Sequence, residues 1–309
     1  MKQKLRLLLI FLFVILLQSS LASALSKQLT FATPEEAVRA LSDAAASENL
    51  KALTNIFGED FIKTISSGDP TADKMQLQQL SQRIAEKQDL TSSGPTTRLL
   101  EVGADKWPFP APLVQKDGKW AFNSVIGAEE IINRRVGEDE LRTIKVAQFY
   151  VDAQKLYYKL ASKQFDQGFY AQKFISSPGQ KDGLYWDTPD KSPSPLGHLV
   201  VSALRMGYQR QAKEGDGLFQ GYYYRILKKQ DEYASGKKMN YVSSAGRMTE
   251  GFALLAYPSR WNVSGVMSFI VGQDGIVYEK NFGAKTSQIA ASISAYKPDA
   301  SWHAITGVP

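Results

Sequence analysis

Four strand-like segments between Gly221 and Gly283 constrain this chain more than any other feature. They are Tyr222 to Leu227, Phe252 to Tyr257, Val266 to Val271 and Ile276 to Lys280, rich in aromatic and branched residues and bounded by turn formers. Gly272-Gln273-Asp274-Gly275 joins the last two. A packed antiparallel sheet is expected. The first and third segments are apolar on both alternating faces, which suits central strands covered on each side. Glu279 and Lys280 mark the fourth as an edge.

Ahead of the sheet runs the longest helical pattern, Glu138 to Ala161. Leu141, Ile144, Ala147, Val151 and Tyr158 form one apolar stripe; Val146, Phe149, Ala153, Leu156 and Leu160 form another. So wide a surface predicts burial on more than one side, with the helix between the two halves as the support of the C-terminal sheet. Gly137 is expected to separate it from a short helix over Gly127 to Val136. From Gln164 to Asp216 Gly and Pro breakers predict loops around one helix, about Leu199 to Arg210, held down by their many aromatic rings.

The N-terminal part opens with a helix signal. Thr33 stands before Pro34-Glu35-Glu36, which supplies an N-cap hydroxyl, a first-turn proline and the glutamate of a capping box. Asn49 caps a second helix through Phe57, and Asp73 to Leu90 reads as a surface helix. Strands follow at Thr97 to Val102, Phe109 to Gln115 and Lys119 to Asn123, with Asp117-Gly118 as a two-residue turn and Trp107 and Trp120 as core residues. The expectation is an α+β protein: residues 25–137 forming a helix pair with a small antiparallel sheet, and residues 138–309 a long helix on a meander.

Compartment follows from the first 24 residues. Lys2, Lys4 and Arg6 precede an apolar run from Leu7 to Leu17 and then Ala22-Ser23-Ala24, the pattern of a secretory signal peptide cleaved after Ala24. The run is shorter than the roughly 20 residues that cross a bilayer, so no membrane span is expected in the mature chain. Without the leader, 34 basic against 31 acidic residues leave a charge of +3, with no dense basic run to neutralise phosphates, which argues against nucleic acid. Cysteine is absent, so no disulfide supports the fold and the core must suffice. A periplasmic or secreted bacterial protein is the expectation.

Reactive chemistry is sparse. His198 and His303 have no metal-ligand spacing around them, and no Gly-x-Ser-x-Gly elbow occurs. The Asp-Gly pairs at Asp117, Asp182, Asp216 and Asp274 read as turns. Glu129-Glu130 and Glu138-Asp139-Glu140 read as helix starts, and Arg134-Arg135 as a helix end. No catalytic residue, metal or cofactor is expected. The residues offered for ligand binding are Asp182, Trp186, His198, Tyr222, Tyr224 and Arg225, although the cluster Phe219, Tyr222, Tyr223 and Tyr224 fits a filled core better than a glycan platform. The leading reading is a non-catalytic binding or assembly module with an envelope protein or glycan as partner. A binder of small ligands or glycans in an aromatic-lined pocket comes second, and a carboxylate-dependent hydrolase third.

Several motifs carry a family resemblance: Phe31-Ala32-Thr33-Pro34-Glu35-Glu36-Ala37, Ser66-Ser67-Gly68-Asp69-Pro70, Trp107-Pro108-Phe109-Pro110, Asn133-Arg134-Arg135-Val136-Gly137, the run Ser177 to Trp186, and Gly221-Tyr222-Tyr223-Tyr224-Arg225. Together they resemble domain-of-unknown-function family 2950, secreted bacterial proteins without assigned activity, which implies export and transfers no site residue. The helix from Glu140 to Tyr150, Gly168-Phe169-Tyr170-Ala171, Ala256-Tyr257-Pro258 and Asp274-Gly275-Ile276-Val277 look like the globular half of type IV pilins and pseudopilins. No pilin processing site and no membrane-length apolar helix precede Glu138, so the polymerising part is missing. The N-terminal helix pair and late Asp-Gly-Lys-Trp hairpin look like nuclear transport factor 2-like and cystatin-like domains.

Overall fold

The computed structural model describes residues 28–187, 192–208, 216–232 and 237–306. The expected leader lies outside them, as do the last two residues of the helix expected to end at Arg210. The described residues form two compact units: 28–65 with Leu77–Glu130, and Ser66–Gln76 with the described residues from Ile131 to 306.

In the first unit α1 (Pro34–Ala46) starts where Thr33 accepts the Glu36 N–H at 3.2 Å and the Glu36 carboxylate accepts the Ala32 N–H at 3.0 Å. The cap is reciprocal, one residue earlier than the usual box. Asn49 caps α2 (Leu50–Phe57), and α3 (Glu59–Ile65) follows. Phe57 carries the helices onto the sheet, its ring 5.1 Å from Phe122 and 6.2 Å from Phe109.

The helix expected over Asp73 to Leu90 is α4 (Pro70–Glu86), and it stops short. Gln88–Gly94 is instead a strand, β1, that hairpins through Pro95-Thr96 onto β2 (Thr97–Val102). It is an outer strand with no fully buried residue, so Thr91-Ser92-Ser93 shows no apolar alternation to betray it. β3 (Trp107–Pro108) also pairs with β2, and β4 (Leu113–Lys116) and β5 (Lys119–Phe122) complete the sheet in the order β1-β2-β4-β5. Asp117 and Gly118 turn it at φ of 51° and 73°, the double left-handed geometry of a type I′ hairpin. Trp120 is buried, whereas Trp107 is half-buried beneath Arg83.

The second unit is built on α5 (Ser124–Gln164), a single helix that runs through Gly137. Glycine inside a helix costs only about 1 kcal/mol relative to alanine and is no obligatory break. Gly137 is exposed, and an added Cβ would meet nothing within 4 Å. Gly137→Ala should therefore raise the stability to chemical denaturation by about 0.5–1 kcal/mol; an unchanged or lowered midpoint would count against a continuous helix.

The expected double stripe is also corrected. Leu141, Phe149, Leu156 and Leu160 are exposed. Burial follows one face, through Arg135, Asp139, Thr143, Ile144, Ala147, Tyr150, Val151, Gln154, Tyr157 and Ala161. Polar residues occupy several of these positions, so apolar periodicity alone misplaces the face. Gln154 shows why they are tolerated: its amide donates to the Ala171 carbonyl at 2.8 Å and accepts the Ala171 N–H at 2.9 Å.

After α6 (Gly197–Arg205) come β6 (Gly217–Phe219), β7 (Tyr222–Leu227), the small pair β8 (Lys229–Gln230) and β9 (Met239–Asn240), β10 (Ala253–Pro258), β11 (Ser268–Gly272), β12 (Val277–Lys280), α7 (Thr286–Ser292) and β13 (His303–Ala304). The main sheet has the order β13-β12-β11-β10-β7-β6, antiparallel throughout. β10 and β11 are wholly buried, and α5 packs on the sheet in one core. The expected outer strand β12 is covered by β13. The loops after α5 are held by ring contacts, as expected: Tyr157 lies 6.0 Å from Phe169 and 6.3 Å from Trp186, and Tyr170 lies 4.8 Å from Phe252. No described helix is long and apolar enough to cross a membrane.

Candidate functional site

Within the second unit α5, α6 and the sheet enclose a cavity of about 540 Å³, inside the ~300–1,000 Å³ range of small-molecule sites. Tyr224, Ile226 and Leu254 supply the sheet wall, and Val146 and Tyr150 the α5 wall. On α6, Leu199, Val200, Ala203 and Leu204 recur on one helical face, and none is fully buried because that face looks onto the cavity. Phe174, Ile175, Leu196, Leu218 and Phe219 close the remainder.

Two carboxylates face this space, and both oxygens of each are engaged. Asp69 is 1% exposed. Its Oδ1 accepts the N–H groups of Thr71 and Ala72, each at 3.1 Å, and so caps α4. Its Oδ2 accepts the Tyr208 hydroxyl at 2.7 Å and the Gly221 N–H at 3.0 Å. Burial, reinforced by the hydrogen bond to Asp69, pushes the Tyr208 pKa well above its ordinary value. Asp216 receives the Arg225 fork at 2.5 Å on each oxygen and also the Tyr257 hydroxyl. Arg225 further donates to the carbonyls of Ala290 at 2.8 Å and Ile293 at 3.1 Å. The bond to Asp216 raises the Arg225 pKa above its usual value.

A smaller cavity of about 290 Å³ adjoins the first, because Gln172, Lys173 and Lys228 line both. Tyr157, Phe169, Tyr170, Asp182 and Arg247 belong to the smaller one. Lys173 is ion-paired to Asp182 at 2.6 Å and hydrogen-bonded to Ser177 at 2.9 Å. Arg247 lies over the Phe165 ring at 4.8 Å and the Phe169 ring at 5.1 Å.

A third polar group lies on α5. Arg135, 4% exposed, donates to Gln76 at 2.9 Å with Asp73 at 3.6 Å. One turn on, Asp139 is buried and accepts from Arg142 at 2.6 Å. Burial raises the Asp139 pKa to about 6, against the opposing pull of Arg142 and Arg135. Glu140 accepts the N–H groups of Val266 and Met267 at 2.8 and 2.9 Å. Glu138-Asp139-Glu140 and Arg134-Arg135 are thus mid-helix residues, not helix ends, and Arg135 and Glu140 have long-range partners.

The six residues offered for binding do not form one site. Tyr224 and Arg225 line the large cavity, and Asp182 the small one. Tyr222 is fully buried, its hydroxyl donating to the Met267 carbonyl at 2.9 Å. Trp186 is buried with its indole N–H on the Ser192 carbonyl at 3.0 Å, so neither ring offers a glycan platform. His198 is exposed on α6, edge-on to Phe149 at 5.6 Å. Asp182 and Asp216 prove to be ion-pair residues, while Asp117 and Asp274 sit in turns. Partial burial pushes the Asp182 pKa up, but hydrogen bonds from Lys173 and Ser177 outweigh it and hold the group below its usual value. Among the described residues no cluster of three or more His, Asp or Glu is placed to hold a metal.

In the sequence Asp69 stands only within a family motif and the α6 segment only as a helix, and neither they nor Lys228 show a local mark of a binding site. Asp69 bonds to Gly221, 152 positions away, and no local pattern announces such a pair. No curated protein and no solved structure matches the chain, so the pilin-like and nuclear transport factor 2-like resemblances are not confirmed. The model of a family described as a protein of unknown function (DUF2950) matches residues 28–305, nearly the whole chain, and the chain belongs to that family.

Proposed function

We propose that this protein is a non-catalytic binding module of the bacterial envelope, exported by the leader ending at Ala24, and that the large cavity of its second unit takes a small, largely apolar ligand. One observation carries the reading. The apolar face of α6 is turned onto a cavity of about 540 Å³ where a core helix would be packed solid. The polar groups around it support binding more than catalysis. Both oxygens of Asp69 and of Asp216 are engaged, by four and three donors respectively. A general acid or base needs a free oxygen and access to the proton it moves, which disfavours the carboxylate-dependent hydrolase. The burial of Trp186, Tyr222 and Tyr224 disfavours glycan stacking.

Titration with the neutral apolar fluorophore N-phenyl-1-naphthylamine tests the proposal. Saturable binding at one site per chain, with enhanced emission, is expected. Absence of saturable binding to the folded protein would sink the reading.

A further inference from the structure

We infer that the ligand is a single-chain amphiphile with an oxyanion head, a carboxylate or phosphate, held by Lys228 where the two cavities meet and by Arg247 in the smaller one. The inference rests on the binding reading above and specifies its ligand class. Lys228 lines both cavities and is only partly exposed. Among the described residues neither Lys228 nor Arg247 has a carboxylate within ion-pair distance, whereas Lys173 is already neutralised by Asp182. A partly desolvated ammonium without a counter-ion is an unfavourable arrangement that a bound anion relieves. Arg247 is exposed, and its guanidinium lies against the adjacent rings of Phe165 and Phe169, which favour one orientation before any ligand arrives.

The opposite end of the site has the opposite character. β7 runs from beside Gly221, where Asp69 is bound, toward Lys228, a span on the order of 20 Å at the rise of an extended strand. Asp182 at the Lys228 end is paired to Lys173, whereas Asp69 is bonded only by uncharged donors, so charge sets the direction: head at Lys228, chain along β7 beneath the α6 face. An apolar lining that follows β7, with cations at one end, matches a single acyl or alkyl chain.

Competition against bound N-phenyl-1-naphthylamine, below micelle-forming concentrations, separates the possibilities. Dodecanoate and dodecyl phosphate should displace the probe at roughly tenfold lower concentration than 1-dodecanol, as charge-assisted contacts require. Whichever of the two anions competes better identifies the head, and either supports the inference. In Lys228→Gln/Arg247→Gln the anion advantage should fall to within about twofold, with affinity for dodecanol and the probe retained. Lys228→Glu should turn the preference toward dodecylammonium. Equal affinity for dodecanol and the anions in the unmodified protein, or an anion advantage that survives the double substitution, would overturn the inference while leaving the apolar-ligand reading intact. Failure of the probe and dodecanol alike would instead remove that reading.

Discussion

Gly265→Ala is expected to destabilise the second unit by at least ~3 kcal/mol, a fall in melting temperature of roughly 10 °C for a unit of this size. A Cβ at this position would lie 1.9 Å from the Tyr222 hydroxyl oxygen and 2.5 Å from the carbon that bears it. Neither neighbour can yield cheaply. Tyr222 is fully buried, its ring 5.9 Å from Phe269, and its hydroxyl is committed to the Met267 carbonyl. Gly265 itself is fixed by the tight loop after β10, where its carbonyl accepts the Asn262 N–H at 2.8 Å and the buried Ser264 hydroxyl bonds back to Arg260. Relief would require the Tyr222 ring to leave its place, with loss of packing and of one buried hydrogen bond. Calorimetry on Gly265→Ala, Tyr222→Phe and the double variant checks this. The double variant should lose less than the sum of the singles, because removing the hydroxyl removes the closest clash. A loss below 1 kcal/mol for Gly265→Ala, or strict additivity, would contradict the packing described here.

Asp139→Asn should flatten the pH dependence of stability between about pH 4 and pH 6. Burial raises the folded pKa of Asp139 to about 6 from an ordinary value of 3.8. The folded state therefore holds this proton more tightly than the unfolded chain. The stability contributed by Asp139 is complete below about pH 4 and is lost as pH rises through 6, a change of about 3 kcal/mol. Asparagine keeps an oxygen toward Arg142 and never ionises. Relative to the unmodified protein, the variant should gain up to about 3 kcal/mol between pH 4 and pH 8, read as the difference of two denaturation series. Asp105, Asp182, Asp231 and Asp299 have lowered pKa values and act in the opposite sense at the acidic end, where their contribution is lost as pH falls below about 4, so the difference between the two proteins isolates Asp139. Parallel curves for the two proteins would show that Asp139 is solvated or fully compensated by Arg135 and Arg142.

Legibility in the sequence tracked how local the determining contacts are. Tyr222–Leu227 emerges with the expected bounds because its apolar faces and flanking glycine are all local. The Thr33 and Asn49 caps and the Asp117-Gly118 turn are local too, and each stands where it was read. β1 was hidden because an outer strand of Thr and Ser residues buries nothing fully, and β13 because two residues make no pattern. On α5 Gly137 carries the local mark of a break although the helix runs through it, so local sequence places the buried Asp139 at a helix start where the fold has mid-helix. The cavity was out of reach altogether. Its existence depends on which way the apolar side of α6 faces and on how far α6 stands from β7 and β10, distances set by tertiary packing. The family shared with DUF2950 was legible because its motifs are contiguous, whereas Asp69, Tyr208 and Gly221 meet only in the folded chain.

The central claim, that the space under α6 is a binding site, is tested most directly by filling it. Ala203 faces the cavity from α6 and is not fully buried, so a large ring there projects into open volume. N-phenyl-1-naphthylamine binding should be lost in Ala203→Trp while the melting temperature stays level or rises, since filling an apolar void restores packing. Undiminished binding to a folded Ala203→Trp protein would contradict the account.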